Sequence, residues 1–523
     1  MKFKRTLTVV LSVLLLVLPI TGCDGQSADY ILYIETDQEP KTVDPQLANG
    51  ITEEMLVRNL FEGLMRYDKE GNLQKGVAGE VETSADGLSY TFTIREDAVW
   101  SDGTPLLADD FVFAAERALN PETKAPKANL LYDIKNAKEV HSGATLPLGI
   151  SAISDRVLKI ELSAQNPDFL KVLASAVFMP CQRKAFISFK GKYGMNDEDF
   201  LSNGSFSLKS WEKDGDFTLR INKNTEYVGT FEAGAKAVMF SVGEKSTRME
   251  KLNKNNIDMG FVDYKEPGET IEVEQFSKTC YALCINPNSP FGVEEFKSAI
   301  RMSLDGEKFK SSLASNLEYA ETLLPQVILK DNESLNSLIT HKKSAVYDPV
   351  LARNTYLEGV KLHKDPGNIT IIYFGDEGVK DVALFVAQSL QKTLGVIANI
   401  EGVSDLSELH SRMMSENYQL AIAPIIAQSS SVTQYLSYFS SENSNNYYGF
   451  SNYAFDAELS KTVEYMPKQE LIRNADNMLN LIDSSQLITP LFYEREAFGY
   501  VNIYSVPKVS PFDGAIDFAF VEK

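Results

Sequence analysis

An alternation of predicted strands and helices between residues 369 and 423 limits the fold of this chain more than any other feature. Mainly apolar runs alternate with amphipathic helical patterns, and Gly395 stands where the longer helix should end. The run predicts strands at 369–374, 396–400 and 418–423, and helices at 379–394 and 405–416. A β-α-β-α-β order of this kind requires a parallel sheet with right-handed crossover connections. The sequence therefore predicts an α/β fold in this region.

The first half of the chain carries a different pattern. Tyr90, Phe92 and Ile94 alternate with polar residues, which predicts a half-buried strand, and Asp-Gly pairs at 86–87 and 102–103 mark tight turns. A chain of 523 residues is also long enough for more than one domain. We therefore expect at least two lobes, each with a mixed sheet, and a cleft between them.

The first 23 residues predict export and lipidation. Basic residues near the start precede an apolar run of 14 residues, Leu7 to Ile20, which is too short to span a bilayer and fits an export signal. Small residues then precede Cys23 in the pattern of a lipobox, so we expect cleavage after Gly22 and a diacylglyceryl group on Cys23. This interpretation makes 1–22 a lipoprotein signal peptide and 23–30 a lipidated tether. It places the protein outside the cytoplasm, on the outer face of the cell membrane or in the periplasm. An uncleaved anchor, or an ordinary signal with an incidental cysteine, is the alternative.

Composition and motifs argue against several classes of function. Acidic residues outnumber basic ones by 72 to 51, which disfavours binding to nucleic acid. The four histidines lie at least 22 residues apart and form no local zinc motif, and the sequence has no P-loop, G-x-S-x-G or G-x-G-x-x-G pattern. We therefore expect no metal, no cofactor and no catalytic residue. A hydrolase that uses two carboxylates stays open, because many carboxylate pairs are available.

Short segments spread along the chain carry a family resemblance. The longest runs from Val77 to Leu119 and contains Trp100-Ser101-Asp102-Gly103-Thr104-Pro105. Others are Glu39-Pro40, Val43-Asp44-Pro45, Leu60-Phe61-Glu62-Gly63-Leu64 and Tyr448-Gly449-Phe450-Ser451-Asn452. Together they resemble the extracellular solute-binding proteins of family 5, the receptors of oligopeptide, dipeptide and nickel ABC transporters. The resemblance is strongest to the peptide-binding members.

The resemblance implies an α/β, periplasmic-binding-protein-like fold (type II, large peptide-binding class). It has two lobes with mixed sheets, a hinge and an extra N-terminal subdomain. Lobe I would occupy 31–239 and include the subdomain at 54–150, lobe II would occupy 240–489, and 490–523 would return to lobe I. The ligand would lie between the lobes, and the closed form would dock on an ABC permease with cytoplasmic ATPases. Such receptors are usually monomers.

The same resemblance implies which residues lie near the ligand. These candidates are Asn49, Gly50, Asn203, Gly204, Gln428, Ser429, Asn446 and Tyr493.

One segment departs from the pattern of the peptide-binding members. Those proteins carry a Trp…Asp-Tyr…Asp-Pro segment in lobe II, whose first aspartate anchors the peptide's amino group. The corresponding segment here, 420–433, has no tryptophan and no charged residue. A buried ammonium without a counter-ion is costly. Either another acidic side chain supplies the anchor, or the ligand is a blocked or cyclic peptide or a non-peptide solute.

The leading hypothesis is a lipid-anchored receptor of an ABC importer that binds peptides and is not an enzyme. A receptor for a peptide pheromone would have the same fold and is an alternative. A receptor for a non-peptide or blocked solute is another, and a secreted hydrolase is less favoured because no nucleophile or metal site is visible.

Overall fold

The computed structural model describes residues 30–523 except 167–168, 214–216, 230–232, 264–270, 332, 343–346, 444–445 and 464–465. The predicted signal peptide, Cys23 and nearly all of the predicted tether lie outside the described residues. Among the helices within them, none combines the length and apolarity needed to cross a bilayer.

The strands are numbered in chain order. They are β1 (Ile31–Thr36), β2 (Met65–Tyr67), β3 (Leu73–Lys75), β4 (Ala78–Thr83), β5 (Ser89–Ile94), β6 (Ile150–Ser154), β7 (Val157–Glu161), β8 (Phe206–Glu212), β9 (Thr218–Lys223), β10 (Ala237–Val242), β11 (Met259–Val262), β12 (Glu272–Ile285), β13 (Leu317–Tyr319), β14 (Leu329–Lys330), β15 (Glu333–Ser334), β16 (Ile369–Tyr373), β17 (Ala398–Gly402), β18 (Leu420–Ile426) and β19 (Ile488–Tyr500).

The α-helices are numbered in the same way. They are α1 (Ile51–Leu60), α2 (Ala108–Leu119), α3 (Ala137–His141), α4 (Phe169–Val172), α5 (Arg183–Ser188), α6 (Lys245–Asn253), α7 (Glu294–Met302), α8 (Gly306–Ser312), α9 (Leu335–Leu338), α10 (Pro349–His363), α11 (Glu377–Leu394), α12 (Leu406–Met414), α13 (Val432–Leu436), α14 (Tyr453–Leu459) and α15 (Lys468–Ser485). Short 3₁₀ helices lie at Pro121–Thr123, Ala128–Leu131, Ala176–Phe178, Pro290–Gly292, Ser437–Phe439 and Phe518–Phe520.

One sheet of 11 strands runs through the molecule in the order β17-β16-β18-β12-β19-β11-β1-β10-β9-β8, with β13 also on β19. The long antiparallel strands β12 and β19 pair from Glu272 opposite Tyr500 to Cys284 opposite Ile488. Their other neighbours lie at opposite ends. Strand β11 pairs with β19 near Tyr500, whereas β18 and β13 pair near the other end. Two half-sheets, one per lobe, are therefore joined through β12 and β19.

The pairing of β12 with β19 is irregular at its centre. Phe276 lies opposite Glu496 and Thr279 opposite Glu494, so the register shifts between these pairs. Such an irregularity bends and twists a strand pair locally. Among the described residues, β11 reaches β19 only from Ala497 onward and β18 reaches β12 only from Thr279 onward. This central part of the strand pair is the hinge of the two-lobed fold.

Each lobe has its own hydrophobic core. The lobe I core includes Leu32, Phe92, Trp100, Phe240 and Phe498, all at most 1% exposed. The lobe II core includes Leu283, Ile371, Val386, Ile422 and Phe492, also at most 1% exposed. Phe276, on the hinge, packs against both cores.

These cores correct the predicted boundaries of the lobes. Phe240, Met259 and Phe261 were expected in lobe II and instead pack in the lobe I core. Leu491, Phe492 and Tyr493 were expected in lobe I and instead pack in the lobe II core. The reason is that the chain crosses between lobes in the middle of β12 and again in the middle of β19, whereas the predicted boundaries fall before residue 240 and near the beginning of β19.

The subdomain of lobe I is built on a separate antiparallel sheet in the order β4-β5-β7-β6. The predicted end of this subdomain at residue 150 is too early, because β7 lies at 157–161 and pairs with both β5 and β6. The inward residues of β5, Tyr90, Phe92 and Ile94, are buried as their alternation predicts. They join the lobe I core, so the subdomain is continuous with that lobe.

The predicted β-α-β-α-β run is present in lobe II. Strand β16 pairs in parallel with both β17 and β18. Helix α11 begins after Asp376, whose carboxylate accepts a hydrogen bond from the Val379 N–H, and ends at Gly395 with φ +75°. The second and third strands begin two residues later than predicted.

Candidate functional site

The carboxyl ends of the parallel strands from both lobes point toward the hinge. In lobe I, β1 runs parallel to β10 and β11, and β11 ends at Val262 opposite Ala497. In lobe II, β16 runs parallel to β17 and β18, and β18 ends at Ile426 opposite Thr279. Ligands of open α/β sheets bind outside the carboxyl ends of the strands. The cleft between the lobes, with the hinge as its floor, is therefore the candidate site.

On the lobe I side, a buried arginine fastens three strand ends together. The Arg248 side chain is 0% exposed. Its Nη2 donates to the Gly243 carbonyl at 2.7 Å and lies 2.8 Å from Asp37 Oδ1. Its Nε donates to Glu35 Oε2 at 3.3 Å, and its Nη1 donates to the Phe261 carbonyl. These acceptors belong to or directly follow β1, β10 and β11, so Arg248 sets the relative positions of their ends.

Two glycines leave the room that this arrangement needs. A Cβ at Gly243 would lie 2.3 Å from Cδ of Glu35, and a Cβ at Gly260 would lie 2.6 Å from Cδ of Arg248. Lys251 forms a second ion pair with Glu35. We call Glu35, Asp37, Arg248 and Lys251 the Arg248 cluster.

The start of α1 lies at the same end of lobe I. Thr52 Oγ1 donates to the Gln38 carbonyl at 3.1 Å, and Glu53 Oε1 accepts from the Lys41 N–H at 2.9 Å. Asn49 and Gly50, which were predicted to lie near the ligand, directly precede this helix. Asn49 is exposed, and a Cβ at Gly50 would lie only 2.1 Å from Glu53 Oε2.

On the lobe II side, the loop after β18 begins at the hinge. The Ala427 N–H donates to the Lys278 carbonyl at 2.9 Å, and the next residue, Gln428, is exposed. Ser429 Oγ donates to Gln434 Oε1 and accepts from the Ser431 N–H at 3.2 Å. Gln428 thus has a free amide beside the cleft, whereas Ser429 is engaged within its own loop.

Asn203 and Gly204, which were also predicted to lie near the ligand, make close contacts inside lobe I. Asn203 Oδ1 accepts from the Glu62 N–H at 3.2 Å, and its Nδ2 donates to the Glu62 carbonyl at 2.8 Å. A Cβ at Gly204 would lie 2.6 Å from the Asn59 carbonyl oxygen and from backbone atoms of the next two residues. Both residues hold the end of α1 inside lobe I.

Asn446 and Tyr493 are also used inside one lobe. Asn446 Nδ2 donates to the carbonyls of Ser440 at 3.1 Å and Phe450 at 2.7 Å. Tyr493 is 4% exposed, and its hydroxyl donates to the Thr322 carbonyl at 2.6 Å. The polar groups of both residues therefore have intramolecular partners in lobe II, and their nearness to a ligand stays a prediction.

Replacing Asn203 with alanine separates a structural role from a binding role. The change removes both hydrogen bonds to Glu62 and leaves its buried N–H and carbonyl without partners. We expect the free energy of unfolding to fall by about 2–3 kcal/mol. Because the side chain faces α1, the dissociation constant of folded protein for its ligand should stay within about twofold of wild type. Urea denaturation and calorimetric titration measure the two quantities, and a selective loss of affinity with unchanged stability would contradict this assignment.

The floor of the cleft carries charge on both hinge strands. Lys278 on β12 pairs with Glu496 on β19, Nζ to Oε1 at 3.2 Å. Glu494, two residues earlier, is half-buried. Burial raises its carboxyl pKa to about 7, with further increases from the nearby charges of Glu496 and Asp376, while Lys245 and Lys278 act in the opposite direction. Sequence reasoning missed Glu494; the available signal was the Glu494-Arg495-Glu496 run in the middle of a mainly apolar strand.

Metal binding finds no support in the geometry. Over the residues described by the structure, three or more His, Cys, Asp or Glu side chains nowhere come together in a group that could hold a metal ion.

The two cores, the hinge of two long strands and the converging strand ends define a two-lobed solute-binding protein with an interlobe cleft. The family model for bacterial extracellular solute-binding proteins, family 5 Middle, matches residues 72–447. The chain belongs to the bacterial extracellular solute-binding proteins of family 5, which confirms the resemblance found in the sequence.

Relatives and solved structures agree with this assignment. The oligopeptide-binding protein OppA of Bacillus subtilis is 25% identical over 94% of this chain and 95% of that protein. The structure of Listeria monocytogenes OppA bound to peptide matches with a TM-score of 0.74 at 22% identity, over 95% of this chain and 99% of that one. The pheromone receptor PrgZ matches with a TM-score of 0.71 at 23% identity, over 94% and 98%. The structural matches confirm the predicted fold class.

Proposed function

We propose that this protein is the substrate-binding component of an ABC importer, which captures a peptide in its interlobe cleft and delivers it to a membrane permease. The observation that carries the proposal is the convergence of strand ends from both lobes on a hinge of two strands. A ligand in such a cleft touches both lobes only when they close, so binding favours the closed form. The relatives named for oligopeptide binding support a peptide as the ligand.

The role requires no chemistry on the ligand. The role needs only recognition of the ligand, closure of the lobes around it and its release. The charged residues described around the hinge are suited to binding a polar ligand. The acidic surface, with 72 acidic against 51 basic residues, disfavours nucleic acid as a partner. We propose a monomeric receptor that acts outside the cytoplasm.

Calorimetric titration and small-angle X-ray scattering on the mature chain from Asp24 onward test the proposal. The ligands are a pool of tri- to pentapeptides and, as a control, the corresponding free amino acids. We expect saturable binding of peptides and a smaller radius of gyration in their presence. Binding of the amino acids but not of the peptides would rule out a peptide receptor.

Membrane attachment is a separate part of the proposal and rests on the lipobox before Cys23. Two acyl chains give stable anchoring, whereas a single chain gives only reversible binding. Wild type should therefore incorporate labelled palmitate and lie in the membrane fraction, whereas replacing Cys23 with alanine should abolish the label, as measured by metabolic labelling and immunoprecipitation. A Cys23→Ala protein that still incorporates palmitate would contradict lipid anchoring at this residue.

A receptor for one peptide pheromone is a second candidate. The fold is shared with PrgZ, and the end of β18 that reaches the hinge lies in a segment without a charged residue. A single sequence bound far more tightly than the rest of the peptide pool would favour this function. Comparable affinities across the pool would favour general import.

A further inference from the structure

Among the acidic residues that the structure describes on β12 and β19, Glu494 alone lacks an ion-pair or hydrogen-bond partner. Its neighbour Arg495 pairs with Glu318, Nε to Oε2 at 3.1 Å, and Glu496 pairs with Lys278 at 3.2 Å. In the part of the chain that the structure describes, no ion pair or hydrogen bond engages the Glu494 carboxylate, although a nearby lysine from each of lobe I and the hinge acts on it at longer range.

The position of Glu494 places it between the lobes. In β19 it lies opposite Thr279 of β12 and Leu317 of β13, at the centre of the hinge. The charge of Lys245, which follows β10 in lobe I, acts on it, and so does the charge of Asp376, which follows β16 in lobe II. Lys245 begins α6 and Asp376 caps α11, and both follow the carboxyl end of a strand, where a ligand is expected.

The surroundings of Glu494 favour binding of a cation. Tyr281 and Phe492 stack beside it, with ring centroids 4.8 Å apart and an interplanar angle of 13°. Burial is the main cause of the raised pKa of the Tyr281 hydroxyl, and the negative charges of Glu494 and Asp376 raise it further. An ion pair in so poorly hydrated a place is stronger than one at the surface. Glu496 and Asp376 add to the attraction for a positive group, whereas Lys245 and Lys278 oppose it with a smaller influence on the Glu494 carboxyl.

We propose that Glu494 is the counter-ion in the cleft for a primary ammonium group of the ligand. The inference rests on the proposed peptide-binding function. A receptor that accepts varied peptides can recognise only the groups that all of them share, and an unblocked amino terminus is the one positive group present in every such peptide. A lysine side chain carries the same ammonium chemistry. An ammonium group offers three hydrogen-bond donors on a compact charge, which suits a single carboxylate.

The test measures three peptide sets by calorimetric titration at pH 7.5 on the mature chain. The sets are tetrapeptides without lysine and with a free amino terminus, their N-acetylated copies, and N-acetylated copies that contain one lysine. Wild type should bind the free-amino set at least about 30-fold more tightly than the acetylated set, because a buried charge is left unpaired when one partner is removed. Restored affinity of the acetylated lysine set would identify a side-chain ammonium as the source, and its continued weakness would identify the amino terminus.

Variants then assign the effect to Glu494. Glu494→Gln keeps the shape of the side chain and should lose most of the preference for the ammonium, while Glu494→Asp should retain most of it. Glu122→Gln is the matched control, because Glu122 is exposed in the subdomain and its replacement changes the net charge equally. Circular dichroism checks that each variant is folded.

The pH profile of wild type gives a second measurement that does not depend on any variant. The groups around Glu494 are Glu496, Lys278 and Tyr281 on the hinge strands, Asp376 at the start of α11, and Lys245 at the start of α6. The ammonium binds the ionised carboxylate, and a carboxyl pKa of about 7 means that binding below neutral pH must release a proton. Affinity for the free-amino set should fall roughly fivefold from pH 7 to pH 6. In Glu494→Gln this dependence should be absent.

The outcomes separate the inference from the proposed function. Wild type that binds none of the three sets overturns the peptide-binding function, and the inference with it. Wild type that binds free and acetylated peptides equally, or a Glu494→Gln variant with an unchanged preference and pH profile, overturns the inference while peptide binding stands.

Discussion

Replacing Arg248 with methionine is expected to lower the free energy of unfolding by about 3 kcal/mol or more. The guanidinium is 0% exposed. It forms ion pairs with Glu35 and Asp37 and donates hydrogen bonds to the carbonyls of Gly243 and Phe261. Methionine fills much of the volume but donates no hydrogen bond. Glu35 would keep Lys251, whereas the buried Phe261 carbonyl would lose a donor, which costs about 1–3 kcal/mol, and the half-buried Gly243 carbonyl would lose one at a smaller cost. Urea denaturation of the mature chain, followed by far-ultraviolet circular dichroism, measures the change.

Arg183 is the matched control for Arg248. Its guanidinium pairs with Asp109 and Glu116, but its side chain is 42% exposed. Exposed ion pairs contribute about 0–1 kcal/mol, so Arg183→Met should have a small effect. Equal effects of the two variants would show that the Arg248 cluster does not hold the strand ends together. Because those ends form one wall of the cleft, we also expect Arg248→Met to weaken ligand binding by the protein that remains folded.

The second large effect is expected for Trp100→Ala, at about 3–5 kcal/mol. The indole is 0% exposed, contacts Phe61 edge-to-face at a centroid distance of 6.5 Å, and donates through Nε1 to Asp110 Oδ2 at 3.0 Å. Alanine leaves a cavity in the lobe I core and removes a donor from a carboxylate whose pKa burial already raises to about 6. Circular dichroism is the suitable probe, because the chain has only two tryptophans and the substitution changes the fluorescence.

A graded series separates the two contributions of Trp100. Trp100→Phe keeps most of the apolar volume and loses only the N–H donor, so it should cost about 1–2 kcal/mol. Tyr504→Ala removes a large ring that is 90% exposed and should change stability by less than about 0.5 kcal/mol. Comparable losses for Trp100→Phe and Trp100→Ala would mean that the hydrogen bond to Asp110, and not the packing, dominates.

Local patterns predicted the elements of the fold but not where the lobes divide. The mainly apolar runs at 369–374, 396–400 and 418–423, with helical patterns between them and Gly395 at a helix end, were enough to predict the parallel sheet of lobe II. The division lies within β19, where Tyr493 packs in one core and Phe498 in the other. Both residues belong to one uninterrupted run of strand-forming residues, so nothing in that run marks the boundary between the lobes. The change of lobe depends on which strands pair with β19 on each side of Glu494, and that information is not local.

Local patterns were also insufficient for the site. Asn203 and Asn446 have the residue type expected of ligand-binding groups, yet backbone groups already satisfy their amides. Arg248 lies in a helix of mostly polar sequence and looks exposed until β1 and β11 are placed against it. The carboxyl pKa of Glu494 is raised by burial at the hinge and by the charge of Asp376, which lies 118 positions earlier in the sequence.

The hinge links the fold to the proposed mechanism. Among the described strands, only β12 and β19 cross between the lobes within the sheet, and their register shift lies at the crossing. A pair of strands bends more easily than a wide sheet, and the two separate cores allow each lobe to move as a unit. Glu494 and the Lys278–Glu496 ion pair lie at this bend, so a ligand bound there would affect the relative position of both lobes.

Native mass spectrometry of the mature chain from Asp24 onward, purified from its own host, tests the central claim most directly. Bound species are released in the gas phase and fragmented. We predict a series of co-purified peptides that carry free ammonium groups, with masses that differ by whole amino-acid residues. A single species that yields no amino-acid fragments would contradict the claim that this protein is a peptide receptor.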